Sequence, residues 1–166
     1  MKDGFVPGPG RAGAGVYFWA YEKNVDLARK LAIGWFTYCT KRGSFSKSKD
    51  ARCAVLYGQY EADDEEYFDC SGLAFQEVLL EYMKGFPEYS DTDLNLAHGK
   101  IFSELEQKSG RQLKIVLTKV AQPPKMSLVE GKAFHGQFCY VVRHDPSGIR
   151  VVKCEEVDAE AEAATA

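Results

Sequence analysis

Several things are missing from this chain, and each absence closes off a class of protein. No stretch approaches the roughly 18 consecutive apolar residues of a membrane span, so no membrane partner is expected. The start, Met1-Lys2-Asp3-Gly4-Phe5-Val6-Pro7-Gly8, lacks the apolar core of a secretory signal, which points to the cytoplasm. Cys39, Cys53, Cys70, Cys139 and Cys154 are odd in number and widely spaced, with no CxxC. They read as reduced thiols, neither a disulfide framework nor a zinc cluster, and no metal is expected. A cationic surplus is also lacking: 21 Lys+Arg against 24 Asp+Glu leave a net charge of −3. That argues against a dedicated nucleic-acid binder, which must neutralise phosphates. No internal repeat is visible.

What is present suits one ordinary domain. At 166 residues the chain can bury about two-thirds of its unfolded surface, so no covalent staple is needed. Residues 4–15 are a glycine- and proline-rich loop. Val16-Tyr17-Phe18-Trp19 is a short strand. A helix follows, with Asn24 as N-cap, Asp26 in its first turn, and Lys41-Arg42-Gly43 at its end. Its stripe is Ala28, Leu31, Ala32, Trp35, Phe36 and Cys39. Cys53 to Tyr60 is apolar on both faces and reads as a central strand. Asp63 to Glu66 reads as a solvated acidic loop, and Asp69 as the cap of a second helix. The stripe of that helix is Phe75, Val78, Leu79 and Tyr82, and Gly85 and Pro87 end it. A third helix starts near Asp91 to Asp93, carries Leu94, Ala97, Ile101, Phe102 and Leu105, and stops at Gly110. Strands are expected at Leu113–Val120, Gln137–Arg143 and Ile149–Cys154, with a turn at Asp145-Pro146-Ser147-Gly148. Residues 1–154 thus form a single α+β domain, and 155–166 an acidic, frayed tail.

Few residues invite chemistry. In Gly8-Pro9-Gly10-Arg11-Ala12-Gly13-Ala14-Gly15, glycines let a ligand approach the backbone, and unpaired N–H groups there could hold a phosphate. The loop precedes a strand, so it is no dinucleotide fingerprint, and no Gly-Lys-Ser/Thr makes it a P-loop. Tyr17 and Trp19 share one strand face and Phe18 takes the other, so an aromatic beside the loop offers a stacking platform for a planar heterocycle. The plainer reading is a flexible arm feeding a core strand. In Gln137 to Arg143, alternation puts Gln137, Cys139, Val141 and Arg143 on one face, polar enough to line a cleft. The plainer alternative is an edge strand with one wet face. His135 and Cys139 would lie about 13 Å apart along a strand, too far for a thiol–imidazole pair. Glu130 is the acid near the start of that strand with no evident structural duty.

Taken in order, these segments resemble the ADP-ribosyltransferase fold of poly(ADP-ribose) polymerase catalytic domains, diphtheria-type toxins and small bacterial relatives. Gly13-Ala14-Gly15-Val16-Tyr17-Phe18 resembles the family's G-x-G-[IV]-Y-F motif. Cys53 to Tyr60 with Tyr67-Phe68-Asp69 resembles its next strand and exit. Gln137-Phe138-Cys139-Tyr140-Val141-Val142-Arg143 resembles the strand that carries its catalytic glutamate. The resemblance implies a split antiparallel sheet with flanking helices. It implies a cleft for NAD as substrate, with Gly13, Gly15, Tyr17 and Phe18 binding it and Tyr17 stacking on nicotinamide. Gln137, Cys139 and Glu130 become the candidate catalytic residues, and a protein or nucleic acid the ADP-ribose acceptor. A family carboxylate stabilises positive charge developing on the ribose. Here its position falls on or near Cys139, which leaves Gln137 to orient ribose hydroxyls. The family's NAD-gripping His or Arg strand should precede the glycine loop, where only Met1 to Val6 stand. Three readings follow: an NAD-dependent transferase, a catalytically degenerate nucleotide- or protein-binding module of the same fold, or an unrelated α+β domain.

Overall fold

The computed structural model describes residues 4–21, 24–47, 52–85, 90–123 and 136–159. Within them the chain runs β1 (Val16–Trp19), α1 (Val25–Lys41), β2 (Cys53–Gln59), β3 (Tyr67–Asp69), α2 (Leu73–Met83), α3 (Asp91–Ser109), β4 (Ile115–Val120), β5 (Gln137–Val142) and β6 (Arg150–Val157). Single 3-10 turns at Asp64–Glu66 and Pro146–Gly148 connect strands. This is an α+β architecture with two separate sheets. One has four strands in the order β1-β5-β4-β3, and the other pairs β2 with β6.

The helices begin and end for local reasons. Asn24 caps α1 by accepting the Leu27 N–H at 3.1 Å. Ser90 caps α3 in a reciprocal box with Asp93, and Gly110 closes it in the left-handed region at φ 70°. The second-helix cap expected at Asp69 is not there. Asp69 ends β3 and its carboxylate accepts the Ser71 N–H at 2.7 Å, while Gly72 stands at the N-cap of α2.

Register fixes which side chains share a face. Tyr17 lies opposite Val141 and Trp19 opposite Cys139, and on the other flank Val116 faces Val141 and Thr118 faces Cys139. Phe68 continues that row on β3, which runs parallel to β4. Directly paired residues project to the same side, so Tyr17, Trp19, Gln137, Cys139, Val141, Val116 and Phe68 form one face. Helices α2 and α3 cover it. Phe75, Leu79, Ile101 and Phe102 meet Val116, Val141, Tyr17 and Phe68 in the main core. Phe75 and Phe102 stack at 5.9 Å, and Phe68 meets Phe75 edge-on at 5.7 Å. Each such fully buried aliphatic or aromatic side chain contributes about 1.5–3 kcal/mol.

Three expectations change here. The face bearing Gln137, Cys139 and Val141 is the dry one, because two helices sit on it; Gln137 and Cys139 are buried. Strand β5 is no edge, since β1 and β4 flank it. Strand β2 is not central. It pairs only with β6, and α1 covers its Cys53–Val55 face through Ile33, Ala32 and Phe36. Strand β6 also continues past Cys154 to Val157, with Glu155 opposite Val55, so the sheet takes in residues expected to fray.

The β2–β6 register shifts between Tyr57 and Gly58, a bulge. A Cβ at Gly58 would come within 3.1 Å of the Phe18 ring, so the missing side chain lets the two sheets touch there.

Candidate functional site: the cleft between the sheets

On its other face the four-stranded sheet carries Val16, Phe18, Tyr140, Val142, Ile115 and Tyr67. No helix of the main core covers this side. It borders a cleft of about 1060 Å³ that reaches across to α1 and β2. The volume is at the upper end of ordinary ligand pockets. The far walls include the small residues Ala28 and Ala32 of α1 and Ala54 and Gly58 of β2, alongside Trp35 and Tyr57. Helical spacing puts Ala28, Ala32 and Trp35 on one side of α1. Small side chains on these elements leave the space, and aromatic ones edge it. Trp35, Tyr21, Tyr57, Tyr60, Tyr67 and Tyr140 stand at its edge.

Charge within it is sparse and divided. Among the described residues Arg29 is the cationic side chain on the wall, and Glu61 and Asp64 are the anionic ones. The Arg29 Nε donates to Glu155 at 2.7 Å, and the Tyr57 hydroxyl donates to the same carboxylate at 3.1 Å. Lys153 reaches that carboxylate at 3.2 Å and lies 4.7 Å over the Tyr57 ring. The hydrogen bond from Arg29, then those from Lys153 and Tyr57, hold the Glu155 carboxyl below the usual carboxylate range.

The residues expected at a site fall in different places. Tyr17 has its ring against Gly10 and the main core. Its hydroxyl donates to the Gly13 carbonyl at 2.6 Å and accepts the Ala12 N–H at 3.1 Å. Burial pushes its pKa well above the ordinary phenol value. This phenol fastens the glycine loop; it is no exposed platform for a ring. The loop's donors are spent in the same way. Gly8 and Gly15 exchange both backbone hydrogen bonds at 3.0 Å, and the Gly13 N–H bonds Gly10 at 3.1 Å. The Asn95 side chain from α3 holds the Gly10 carbonyl. With the N–H groups of Gly8, Ala12, Gly13 and Gly15 engaged, the expected phosphate cradle is closed at those positions. Gly13 itself sits at φ 91°, a conformation that favours glycine.

Phe18 does face the cleft, with Phe5 edge-on at 5.7 Å. Gln137 does not: its side-chain carbonyl accepts from Tyr21 and its amide donates to Gln122 at 3.4 Å. Burial pushes the Cys139 thiol up to about 12, so it is neutral at physiological pH and has no anionic character to offer a developing cation. Glu130 and His135 lie outside the described residues. All five cysteines are free thiols, in line with the reduced reading.

Two polar groupings are more tightly paired than the sequence suggests, the Asp63–Glu66 run expected to be a solvated loop and a cluster around Glu106. The acidic run is tied down: Glu65 pairs with Arg111 at 2.7 Å and Glu66 with Lys114 at 2.6 Å. Glu106, on the last turns of α3, receives Arg143, His144 and the Leu113 N–H on one carboxylate oxygen, at 2.9, 2.6 and 2.9 Å. The His-Asp and Arg positions gave no periodic signal that could have revealed it. A second hollow, of about 760 Å³, opens beside Thr40, Arg52 and Glu156, but no aromatic side chain other than Phe36 lines it.

No helix among the described residues is long and apolar enough to cross a membrane. No family model, curated protein or solved structure matches the chain.

Proposed function

We propose that the chain is a nucleotide-binding module of the ADP-ribosyltransferase kind, and that NAD occupies the cleft between its two sheets. One observation supports this reading: an aromatic-edged cleft runs along the Val16–Trp19 strand, with Arg29 on one wall and Glu61 and Asp64 on another. NAD has a matching division, an anionic diphosphate joined to a cationic pyridinium ring. In this reading the diphosphate lies at the Arg29 end, and the planar rings among the aromatic side chains.

Binding without transfer is the form the side chains favour. Moving ADP-ribose to a protein or nucleic acid requires a fixed carboxylate against the ribose as its bond to nicotinamide breaks. Gln137 and Cys139 are turned away from the cleft, and Cys139 is uncharged.

Thermal unfolding at rising NAD concentration tests the reading. At a hundredfold excess over Kd, ligand linkage adds about 2.7 kcal/mol, which raises Tm by roughly 5–10 °C at this chain length. An unchanged Tm at about 5 mM NAD, with no heat on titration, defeats it. Chromatography of the same mixture separates binder from enzyme: intact NAD supports the binder, and free nicotinamide restores the transferase.

A further inference from the structure

The net charge of −3 averages two unlike parts of the chain. Residues 27–60 hold seven of the 21 Lys and Arg but only one of the 24 Asp and Glu, Asp50. The rest is left with 14 cations against 23 acids. The contacts divide in the same way. Among the described residues, every lysine outside this segment meets an acid or a ring. Lys84, Lys108, Lys114 and Lys153 pair with carboxylates, and Lys100 and Lys119 lie over Tyr82 and Phe138. Lys30 and Lys41 of α1 and Lys47 in the turn after it are exposed, and none of the three has a carboxylate partner among the described residues.

The helix and its exit turn gather these cations beside aromatic rings. Lys30 and Lys41 are three turns apart on one side of α1, about 16 Å along its axis, with Thr37 between them. Past Lys41 the chain doubles back. The Ser44 N–H donates to the Cys39 carbonyl at 3.0 Å and Phe45 stacks on Phe36 at 5.3 Å, so Lys47 stays at this end of the helix. Trp35, Tyr38 and Arg42 follow i, i+3, i+7 spacing and form the adjoining stripe. The Trp35 and Tyr38 rings are 5.5 Å apart, and Arg42 lies 5.5 Å over Tyr38. Trp35, at the rim of the cleft, is 46% exposed. The helix dipole favours cations in the last turn, which accounts for Lys41 and Arg42. It gives no reason for Lys30 or Lys47, nor for a half-exposed tryptophan on the next stripe.

Unpaired cations beside exposed rings suit a polyanion that carries its own planar groups. On a single strand, phosphates can take the lysines while unstacked bases meet the rings. A duplex keeps its bases inside. A lipid surface calls for an apolar wedge, and the apolar face of α1 is spent, because Ala32, Ile33 and Phe36 pack on β2. An acidic peptide gains from the charge but makes no use of the rings. We propose that the outer face of α1 and its exit turn bind single-stranded nucleic acid, with Lys30, Lys41 and Lys47 on phosphates and Trp35 stacked on a base. The inference is independent of NAD in the cleft.

The test is fluorescence anisotropy of a labelled single-stranded DNA of about 20 nucleotides, with the full chain and no NAD. Three phosphate contacts predict an affinity that falls roughly twentyfold between about 50 and 200 mM salt. The triple variant Lys30→Gln, Lys41→Gln, Lys47→Gln breaks no ion pair and should keep its circular dichroism. Its affinity at low salt should fall about tenfold or more, and most of the salt dependence should go. Trp35→Ala should weaken binding about fivefold or more with the salt dependence kept. Neutralising two cations elsewhere, Lys84→Gln with Lys108→Gln, should change affinity less than about twofold. No binding at about 50 mM salt, a triple variant that binds like the native chain, or full affinity in Trp35→Ala overturns the proposal. Tighter binding of phosphatidylserine vesicles, of poly-glutamate or of the same DNA as a duplex also overturns it, by assigning the face to another partner.

Discussion

Tyr17 and Phe18 are adjacent in the chain and opposite in use. Tyr17 turns toward α2 and α3, where its ring joins a core that holds Phe75, Phe102, Val116 and Val141. Its hydroxyl is hydrogen-bonded within its own loop. Phe18 turns the other way, onto a wall where Ala28, Ala32 and Ala54 leave space unfilled. One sheet thus separates a close-packed region from a hollow one. Close packing accounts for stability, and the hollow aromatic surface is where the proposed ligand would lie. Mutations on the two faces should therefore separate stability from binding.

The largest effect is expected in the core. Phe102 is fully buried, and Phe102→Ala should cost about 3–5 kcal/mol in urea denaturation. A loss under about 1 kcal/mol would mean this side is not the packed one. Next is Ala54→Trp, which places a large ring in the cleft from an exposed strand position. Stability should change by less than about 0.5 kcal/mol while NAD affinity falls about tenfold or more, near 1.4 kcal/mol; unchanged affinity would place the ligand elsewhere. Tyr17→Phe comes third. It removes two hydrogen bonds but keeps the ring, so about 1 kcal/mol of stability should go while NAD affinity holds. A large loss of affinity with stability intact would restore Tyr17 as a ligand contact.

The smallest effects are in pH dependence. Burial acts to raise the Glu106 carboxyl, but the Leu113 N–H, the His144 hydrogen bond and the Arg143 charge outweigh it and hold it below the usual range. A depressed folded pKa gives stability that is present above the unfolded carboxylate range and lost as pH falls through the folded value. Urea midpoints should therefore drop with acid in the native chain and less steeply in Glu106→Gln. For Cys139 the sign is reversed. Its thiol is pushed up to about 12, so its contribution is present below the ordinary value of 9.0 and lost as pH rises toward about 12. In the native fold Cys139 and Cys70 should resist alkylation while exposed Cys154 reacts; equal labelling would show an open core.

Local structure was largely legible in the sequence. Asn24, Ser90 and Gly110 do capping work set by neighbours three or four residues away, so helix limits follow from short-range chemistry. Sheet membership was not. Cys53 to Gln59 is apolar on both faces whether it is central in a large sheet or one of a pair with α1 packed against its Cys53 and Val55 side chains. Which face of β5 is wet depends on where α2 and α3 dock, and alternation alone is symmetric between the two choices. The candidate site suffered from the same symmetry. Tyr17 and Phe18 were both legible as aromatic residues beside a glycine loop, and only the position of the helices assigns one to the core and the other to the cleft. Ala28, Ala32, Ala54 and Gly58 matter by being small, which leaves no motif to find.

Gly58 acts as the stop against which the sheets close. Its hydrogen meets the Phe18 ring where any larger side chain would press on it. A methyl group there would serve as a shim, prising the walls apart by a few tenths of an ångström. The width of the gap between the sheets is thus gauged at a residue with no side chain of its own.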